Sequence, residues 1–176
     1  MIGYTLVDIN NLFILIDLFK KYATLKSIAE AKLSAFEKDI HSVGFYHNKA
    51  KNIILATKKI IEEYNGVVPN KMEELLKIPG VGRKSANVIM LEAFKTPQGI
   101  AVDTHAKRIS NRLGFSKQTE PEKIEQDLLK IIPKEYYQDV NHLLVWHGRK
   151  TCDSRKPQCE KCPVKRYCEY YNSSLN

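Results

Sequence analysis

Apolar residues recur at helical spacing along almost the whole chain of 176 residues. The clearest run lies between His47 and Tyr64, where isoleucines and alanines fall three or four positions apart. The dipeptide Asn65-Gly66 then ends this helix. Only Gly99 to Val102 reads as extended backbone, and four residues do not make a sheet. The sequence therefore predicts an all-α fold with a cysteine-bearing tail.

Side chains that can cap helices predict further helix starts. Ser27 and Ser34 each have a glutamate three residues later, which is capping-box spacing. Asn70 has the same spacing and opens a helix that Pro79 must end. Thr119 starts another helix, with a proline in its first turn. We expect each of these polar residues to accept a hydrogen bond from the first turn of its helix.

The charge balance makes a polyanion the first partner to consider. The chain has 28 Lys and Arg against 20 Asp and Glu, a net charge of +8, and half of this excess lies in residues 149–176. The first apolar run, Leu12 to Phe19, contains Asp17, follows no basic region and is too short to span a bilayer. These features predict a soluble, intracellular protein that binds nucleic acid.

All four cysteines lie close together, at Cys152, Cys159, Cys162 and Cys168. In a cytosolic chain such a cluster favours metal binding over disulfides. Zinc sites usually contain two close cysteine pairs, whereas only one pair here has the C-x2-C spacing. Four thiolates also hold [4Fe-4S] clusters, which tolerate uneven loops. The spacing alone leaves both metal centres open.

The sequence P-G-V-G at residues 79–82 joins two predicted helices, and Arg83 and Lys84 begin the second. Free backbone N–H groups, the positive end of a helix and two cations together favour an anion there. A plain turn between two helices is the alternative. The surrounding L-L-x-x-P-G-V-G pattern resembles the helix-hairpin-helix that holds a DNA phosphate backbone without reading its sequence.

Asp103 follows the extended stretch and precedes a helix through Ile109 and Leu113. Helix capping is the simplest explanation of this carboxylate. Lys84 and Asp103 both stand at helix starts, so one intervening helix could return them to a shared cleft. His105 could contact phosphate or simply pack, and the sequence does not decide between these roles.

Three motifs, in this order, resemble the endonuclease III family: L-K-I-P-G-V-G-R-K-S-A-N-V, A-V-D-T-H-A-K-R, and H-G-R-K-T-C with the four-cysteine tail. The resemblance covers roughly residues 20–171. It implies the all-α helix-hairpin-helix DNA glycosylase fold with two helical lobes. One lobe would comprise residues 1–98, with the hairpin at 70–94, and the other residues 99–176, with an iron–sulfur cluster loop at 152–168.

The resemblance also implies an enzyme of base excision repair that removes oxidised pyrimidines from duplex DNA. The damaged base would be flipped into the cleft between the lobes. Lys84 falls on the family's catalytic lysine and Asp103 on its catalytic aspartate. Related mismatch glycosylases have other residues at the lysine position, so Lys84 favours a glycosylase that also cleaves the abasic site by β-elimination. The alternatives are a damage-binding member without catalysis and a mismatch-specific glycosylase.

The same resemblance implies one [4Fe-4S] cluster on the four cysteines and a monomer in the cytoplasm, associated with the nucleoid. Phe45 takes the position of a wedge that fills the gap left by the flipped base, and a core phenylalanine in a tight turn is the alternative. The residues expected to contact DNA are Phe45, Tyr46, Gly80, Val81, Gly82, Arg83, His105, Arg155 and Lys156.

The N-terminal end departs from the family, which normally has a few dozen more residues there. These include a helix whose Gln fills the space opposite the lesion. The comparable stretch, Met1 to Leu18, contains no Gln. We therefore expect folding stability and damage recognition to differ from those of the family at this end.

Overall fold

The structure, a computed structural model, describes residues 9–173. No β-strand occurs in this range, which confirms the predicted all-α fold class. None of its helices is long and apolar enough to cross a membrane. The first eight residues of the N-terminal stretch compared above lie outside the described residues. The α-helices are α1 (Ile9–Lys21), α2 (Leu25–Ala29), α3 (Leu33–Asp39), α4 (Tyr46–Tyr64), α5 (Met72–Leu75), α6 (Arg83–Glu92), α7 (Thr104–Leu113), α8 (Pro121–Ile131), α9 (Tyr137–Lys150) and α10 (Glu169–Ser173).

The chain forms two compact units. The first comprises the described residues up to Pro69 together with Glu73–Val81. The second comprises Asn70–Met72 and the described residues from Gly82 onward. The predicted lobe boundary after residue 98 stays a prediction.

The core of the first unit forms where α4 packs against α2 and α3. Helix α4 buries Ala50 and Ile54 on one face, and Phe36 of α3 is fully buried beside them. The helix ends as predicted at Asn65, which adopts the left-handed conformation with φ 52° and bonds its N–H to the carbonyl of Ile60. The buried residues of this core are Leu18, Tyr22, Phe36, Ile40, Ala50 and Ile54.

The segment Glu73–Val81 is held against α4 within the first unit. Tyr64 donates a hydrogen bond of 2.8 Å to the Glu74 carboxylate, which raises the pKa of Tyr64 to about 12. Gly80 has φ +78°, and a Cβ at this position would lie 2.8 Å from Cβ of Asn52. Glycine is therefore required at position 80 both by its backbone conformation and by the close approach of α4.

The second unit contains an extended segment inside a helical core. Ile100, Ala101 and Val102 are buried, and the backbone N–H of Ala101 donates to Oδ1 of Asn141 at 2.6 Å. This bond replaces the strand partner that an extended segment would otherwise need. The core residues are Ile100, Val102, Ala106, Ile109, Ile124, Leu128, Tyr137 and Leu144.

Four of the predicted helix caps are wrong. Thr24 caps α2, because its hydroxyl accepts from the N–H of Ser27 at 3.1 Å while Ser27 reciprocates as the third helical residue. Ser34 lies inside α3, and Thr119 lies one residue before Glu120, the residue that precedes α8. Asn70 lies two residues before Met72, the first residue of α5. Serine and threonine occur in the first turn of a helix as well as at the capping position, so their spacing from a glutamate does not determine the residue at which the helix begins.

Candidate nucleic-acid interface and cysteine cluster

The P-G-V-G turn leads into a helix end that presents free backbone donors. Helix α5 ends at Leu75, earlier than predicted. After the turn, Gly82 is the residue that precedes α6, and no side chain caps this helix. The first intrahelical bond runs from the N–H of Ala86 to the carbonyl of Gly82 at 2.9 Å. The N–H groups of residues 83–85 therefore have no partner inside the helix and suit an anion.

The two cations at this helix end differ in their surroundings. Arg83 donates from Nε to Oε2 of Glu125 at 2.9 Å and from Nη2 to Oε1 at 3.2 Å. Glu125 is only 3% exposed, so the charge of Arg83 is compensated by a buried carboxylate. Lys84 is exposed and forms no hydrogen bond or ion pair with the described residues. The freely available amine at the start of α6 is thus Lys84.

Asp103 caps α7, which confirms the capping interpretation. Its backbone is extended, with φ −96° and ψ −173°, and Oδ1 accepts from the N–H of Ala106 at 2.7 Å. The side chain is half-buried, and within the described residues Oδ2 accepts no hydrogen bond. One carboxylate oxygen is therefore used to start the helix, and the other is available for chemistry.

His105 of α7 packs against Gly148 of α9. A Cβ on Gly148 would lie 3.0 Å from Cβ of His105, so glycine allows a close approach of the two helices at this point of α9. Nδ1 of His105 lies 3.2 Å from Nη2 of Arg108 and accepts from this permanently protonated group. The structure thus gives His105 a packing role, and its contact with DNA stays a prediction.

Phe45 precedes α4 in a strained and exposed position. Its φ of 58° and ψ of 34° are left-handed, which costs a bulky residue about 1–3 kcal/mol. The side chain is 85% exposed, so the alternative that Phe45 is a core residue is wrong. The neighbouring Tyr46 is half-buried, and its ring lies 4.0 Å from the ring of His47 and meets the ring of His41 edge-on at 6.1 Å. Strain at an exposed aromatic is typical of a binding site.

The four cysteines line one cavity in the second unit, although 16 positions separate the first from the last. All are free thiols, and Cys168 is the buried member. Burial, followed by the proximity of Cys152, raises the pKa of the Cys159 thiol. His147 lies 3.7 Å from Sγ of Cys162, and burial lowers the pKa of this imidazole. The cavity therefore concentrates soft metal ligands beside a histidine that favours its neutral form.

Two arginines of α7 hold the backbone around the first cysteine. Arg112 donates from Nη1 to Sγ of Cys152 at 3.1 Å and to the carbonyl of Asp153 at 2.7 Å, and from Nη2 to the carbonyl of Ser154 at 2.9 Å. Arg108 donates to the carbonyl of Cys152 at 3.2 Å. Sequence reasoning missed both arginines. Their helical spacing after the capping Asp103 was the only available signal.

The loop after Cys152 is folded so that two cations lie at its surface. Oδ1 of Asp153 accepts from the backbone N–H of Arg155 at 2.8 Å and of Lys156 at 3.1 Å, and these bonds lower the pKa of Asp153. The side chains of Arg155 and Lys156 are exposed, and neither forms an ion pair with a described residue. A rigid loop with free cations suits phosphate contacts.

Comparison with known proteins points to one family. The model of the HhH-GPD superfamily base excision DNA repair proteins matches residues 13–134. Endonuclease III of Synechocystis sp. is 46% identical over 151 residues, which cover 86% of this chain and 69% of that protein. The structure of a trapped endonuclease III–DNA covalent intermediate matches with a TM-score of 0.87 at 41% identity, covering 93% of this chain and 77% of that one. A thermostable thymine-DNA glycosylase matches with a TM-score of 0.82 at 27% identity, covering 92% and 76%.

Replacing Asp103 separates its capping role from its charge. Asp103→Ala removes the acceptor for the N–H of Ala106 and should lower the free energy of unfolding by about 1 kcal/mol. Asp103→Asn keeps an oxygen at this position and should stay within a few tenths of a kcal/mol of the wild type. Urea unfolding measures both values. Equal losses in the two variants would show that the carboxylate charge, and not the cap, stabilises α7.

Proposed function

Because the chain belongs to the HhH-GPD superfamily of base excision DNA repair proteins and, within it, to the endonuclease III family, we propose that Lys84 and Asp103 are its catalytic pair. The chain is a DNA glycosylase of base excision repair that also cleaves abasic sites as a lyase. Its proposed substrates are oxidised pyrimidines in duplex DNA and abasic sites. The observation that carries the assignment of Lys84 is its exposed, unpaired amine at the start of α6.

In the proposed reaction the neutral Nζ of Lys84 attacks C1′ of the flipped nucleotide. The new C–N bond forms as the bond between C1′ and the base breaks, and the base departs with the electron pair and takes up a proton. The C1′–O4′ bond then breaks, O4′ keeps the electron pair and takes up a proton, and the nitrogen of Lys84 forms the C1′=N bond of a Schiff base, which water hydrolyses after strand cleavage to free the amine. Loss of a proton from C2′ then allows the bond from C3′ to oxygen to break, which releases the 3′ phosphate.

Asp103 acts on the same nucleotide through its charge. Positive charge develops on the sugar as the base leaves, and a fixed carboxylate stabilises this transition state more than the ground state. The bond from Oδ1 to Ala106 fixes the carboxylate, and Oδ2 is left for the electrostatic role and for proton transfer. A role in both catalysis and capping is consistent with the geometry.

Several of the proposed DNA contacts rest on donors and cations that the protein does not use internally, whereas Arg83 and His105 also have partners inside the protein. The free N–H groups at the start of α6, together with Gly80, Val81 and Gly82 before it, would bind one phosphate. Arg155 and Lys156 would bind others, and Arg83 and His105 belong to the same proposed set of contacts. Phe45 would insert at the gap left by the flipped base, next to Tyr46.

Two features favour this function over the alternatives. A mismatch-specific glycosylase would lack the lysine nucleophile that Lys84 supplies. A binding protein without catalysis would not need an unpaired amine at the start of α6 and a carboxylate with one unbonded oxygen at the start of α7, the next helix in the chain. We further propose that the protein acts as a monomer in the cytoplasm, at the nucleoid.

We propose that the cysteine cavity holds a [4Fe-4S] cluster and not a single zinc ion. Zinc bonds of 2.3 Å in a tetrahedron bring the sulfurs within about 3.8 Å of one another. Among the described residues, no group of three or more His, Cys, Asp or Glu is arranged to hold one ion. A cluster accepts each thiolate on a different iron and so tolerates wider spacing. We propose that Cys152, Cys159, Cys162 and Cys168 hold it, and that it stabilises the loop that presents Arg155 and Lys156.

Purified protein should therefore contain about four irons per chain, with acid-labile sulfide and a yellow-brown colour. Elemental analysis and the visible absorption spectrum measure this directly. Cys168→Ser removes the buried ligand and should lower the iron content, whereas substitution of the exposed Ser173, outside the cavity, should leave it unchanged. One zinc per chain without iron would refute the cluster.

Lys84→Gln should abolish the covalent adduct that borohydride traps on DNA containing an oxidised pyrimidine. The amide is not a nucleophile, so the Schiff base cannot form, while binding should stay within about twofold because the helix end is intact. Lys123→Gln removes another exposed lysine of the second unit and serves as the control. Trapping by Lys84→Gln at the wild-type rate would mean that another amine is the nucleophile.

Phe45→Ala should weaken binding to lesion DNA by about 1–3 kcal/mol through lost stacking. Because the side chain is exposed, the melting temperature should not fall. Phe19→Ala, at another exposed aromatic of the first unit, provides the control. Fluorescence anisotropy on lesion and undamaged duplexes measures both affinities, and an equal loss on the two duplexes would contradict the wedge assignment.

A further inference from the structure

Glu125 is a buried carboxylate that the reaction above does not use. It lies in α8, between the core residues Ile124 and Leu128, and is 3% exposed. Besides the two bonds from Arg83, its Oε1 accepts from Nδ2 of Asn87 at 2.8 Å. A buried ion pair adds little net stability compared with apolar side chains of similar volume. Its contribution is therefore geometric, since it fixes the groups that bind it.

The groups on one side belong to the helix that carries Lys84. Arg83 and Asn87 are four residues apart in α6, so they lie on the same face of the helix. Arg83 immediately precedes Lys84. The carboxylate thus fixes both the rotation and the axial position of the first turn of α6.

The groups on the other side belong to the segment that leads to Asp103. Nδ2 of Asn87 also approaches the carbonyl of Ile100 at 3.4 Å. A Cβ on Gly99 would overlap Oε1 of Glu125 and lie 2.7 Å from Oδ1 of Asn87. The backbone of residues 99–100 is therefore packed directly against the Glu125–Asn87 pair, a few residues before the α7 cap.

We propose that Glu125 is a positioning residue of the reaction, which holds Lys84 and Asp103 in a fixed relation by binding Arg83 and Asn87 of α6 while it packs against the backbone at Gly99. The inference rests on the proposed function, since it assigns a purpose to the spacing of the two catalytic residues. Misplacement of a reacting group by about 1 Å costs roughly 100-fold in rate. The carboxylate is therefore needed for the chemical step and not for holding DNA.

The test compares Glu125→Gln with Asp127→Asn. Both variants neutralise a carboxylate of α8, but Asp127 forms its hydrogen bonds with Ser116 and Lys130, away from α6. The holoenzyme in excess is mixed with duplex DNA containing thymine glycol, and the rate of borohydride-trapped adduct is followed in a single turnover. Affinity is measured separately on a duplex with a tetrahydrofuran abasic analogue, which cannot react.

We expect Glu125→Gln to slow adduct formation about 10- to 100-fold with an affinity within about twofold of the wild type. Asp127→Asn should retain the wild-type rate. A wild-type rate for Glu125→Gln would overturn the proposal, as would an equal slowing by Asp127→Asn or a loss confined to affinity. If Glu125→Gln does not fold, Gly99→Ala is used instead, because its Cβ would displace the Glu125 carboxylate without changing any charge. This variant should also slow adduct formation.

Two further measurements distinguish a positioning role of Glu125 from a failure of the catalytic assignment. If Arg83 and Glu125 act as one unit in the chemical step, Arg83→Gln and the double variant should slow adduct formation by saturating enzyme as much as Glu125→Gln does, and losses of rate that multiply would overturn the positioning role. Only the rates are compared, because Arg83 is also a proposed DNA contact. If Lys84→Gln still forms the adduct, the proposed function itself fails. If Lys84→Gln loses the adduct and Glu125→Gln keeps the wild-type rate, only the positioning role fails.

Discussion

An extended segment that lies in a helical core must find partners for its backbone without a neighbouring strand. In the second unit these partners are side chains. Asn141 of α9 accepts from Ala101, and Asn87 of α6 approaches the carbonyl of Ile100. The segment buries Ile100 and Val102 in the core and then delivers the cap of α7. The core and the start of α7 thus both depend on a few buried polar bonds.

Helix α7 connects two parts of the site that the sequence presents as separate motifs. Its first residue follows the capping Asp103, and its later turns supply Arg108 and Arg112 to the backbone around Cys152. Each guanidinium binds carbonyls that no helix or strand uses, which allows an irregular loop to pack on the unit. The position of the cysteine loop is therefore tied to the same helix that orients the carboxylate.

Short sequence patterns predicted those helix ends that are determined by neighbouring residues. The end of α4 at Asn65 and the cap at Asp103 follow from left-handed turns and oxygen acceptors that a short window reveals. Glu125 was not predicted, because between Ile124 and Leu128 it reads as an ordinary helix residue and its partner Arg83 lies 42 positions away. The left-handed backbone of Phe45 was not predicted either, because neither the residue type nor the apolar periodicity signals it. Long-range pairs and backbone strain are thus invisible to periodicity.

The chain passes between the two units more than once, which affects how the protein folds during synthesis and how it can be divided into fragments. Residues 70–72 belong to the second unit, yet Glu73–Val81 returns to the first. On a ribosome, the first unit is complete only after the chain has already supplied a piece of the second. A fragment ending at Pro69 would lack Glu74 and Gly80, the groups that pack on Tyr64 and α4. Neither unit corresponds to one continuous stretch of gene, so exchange of whole units between relatives requires more than a single junction.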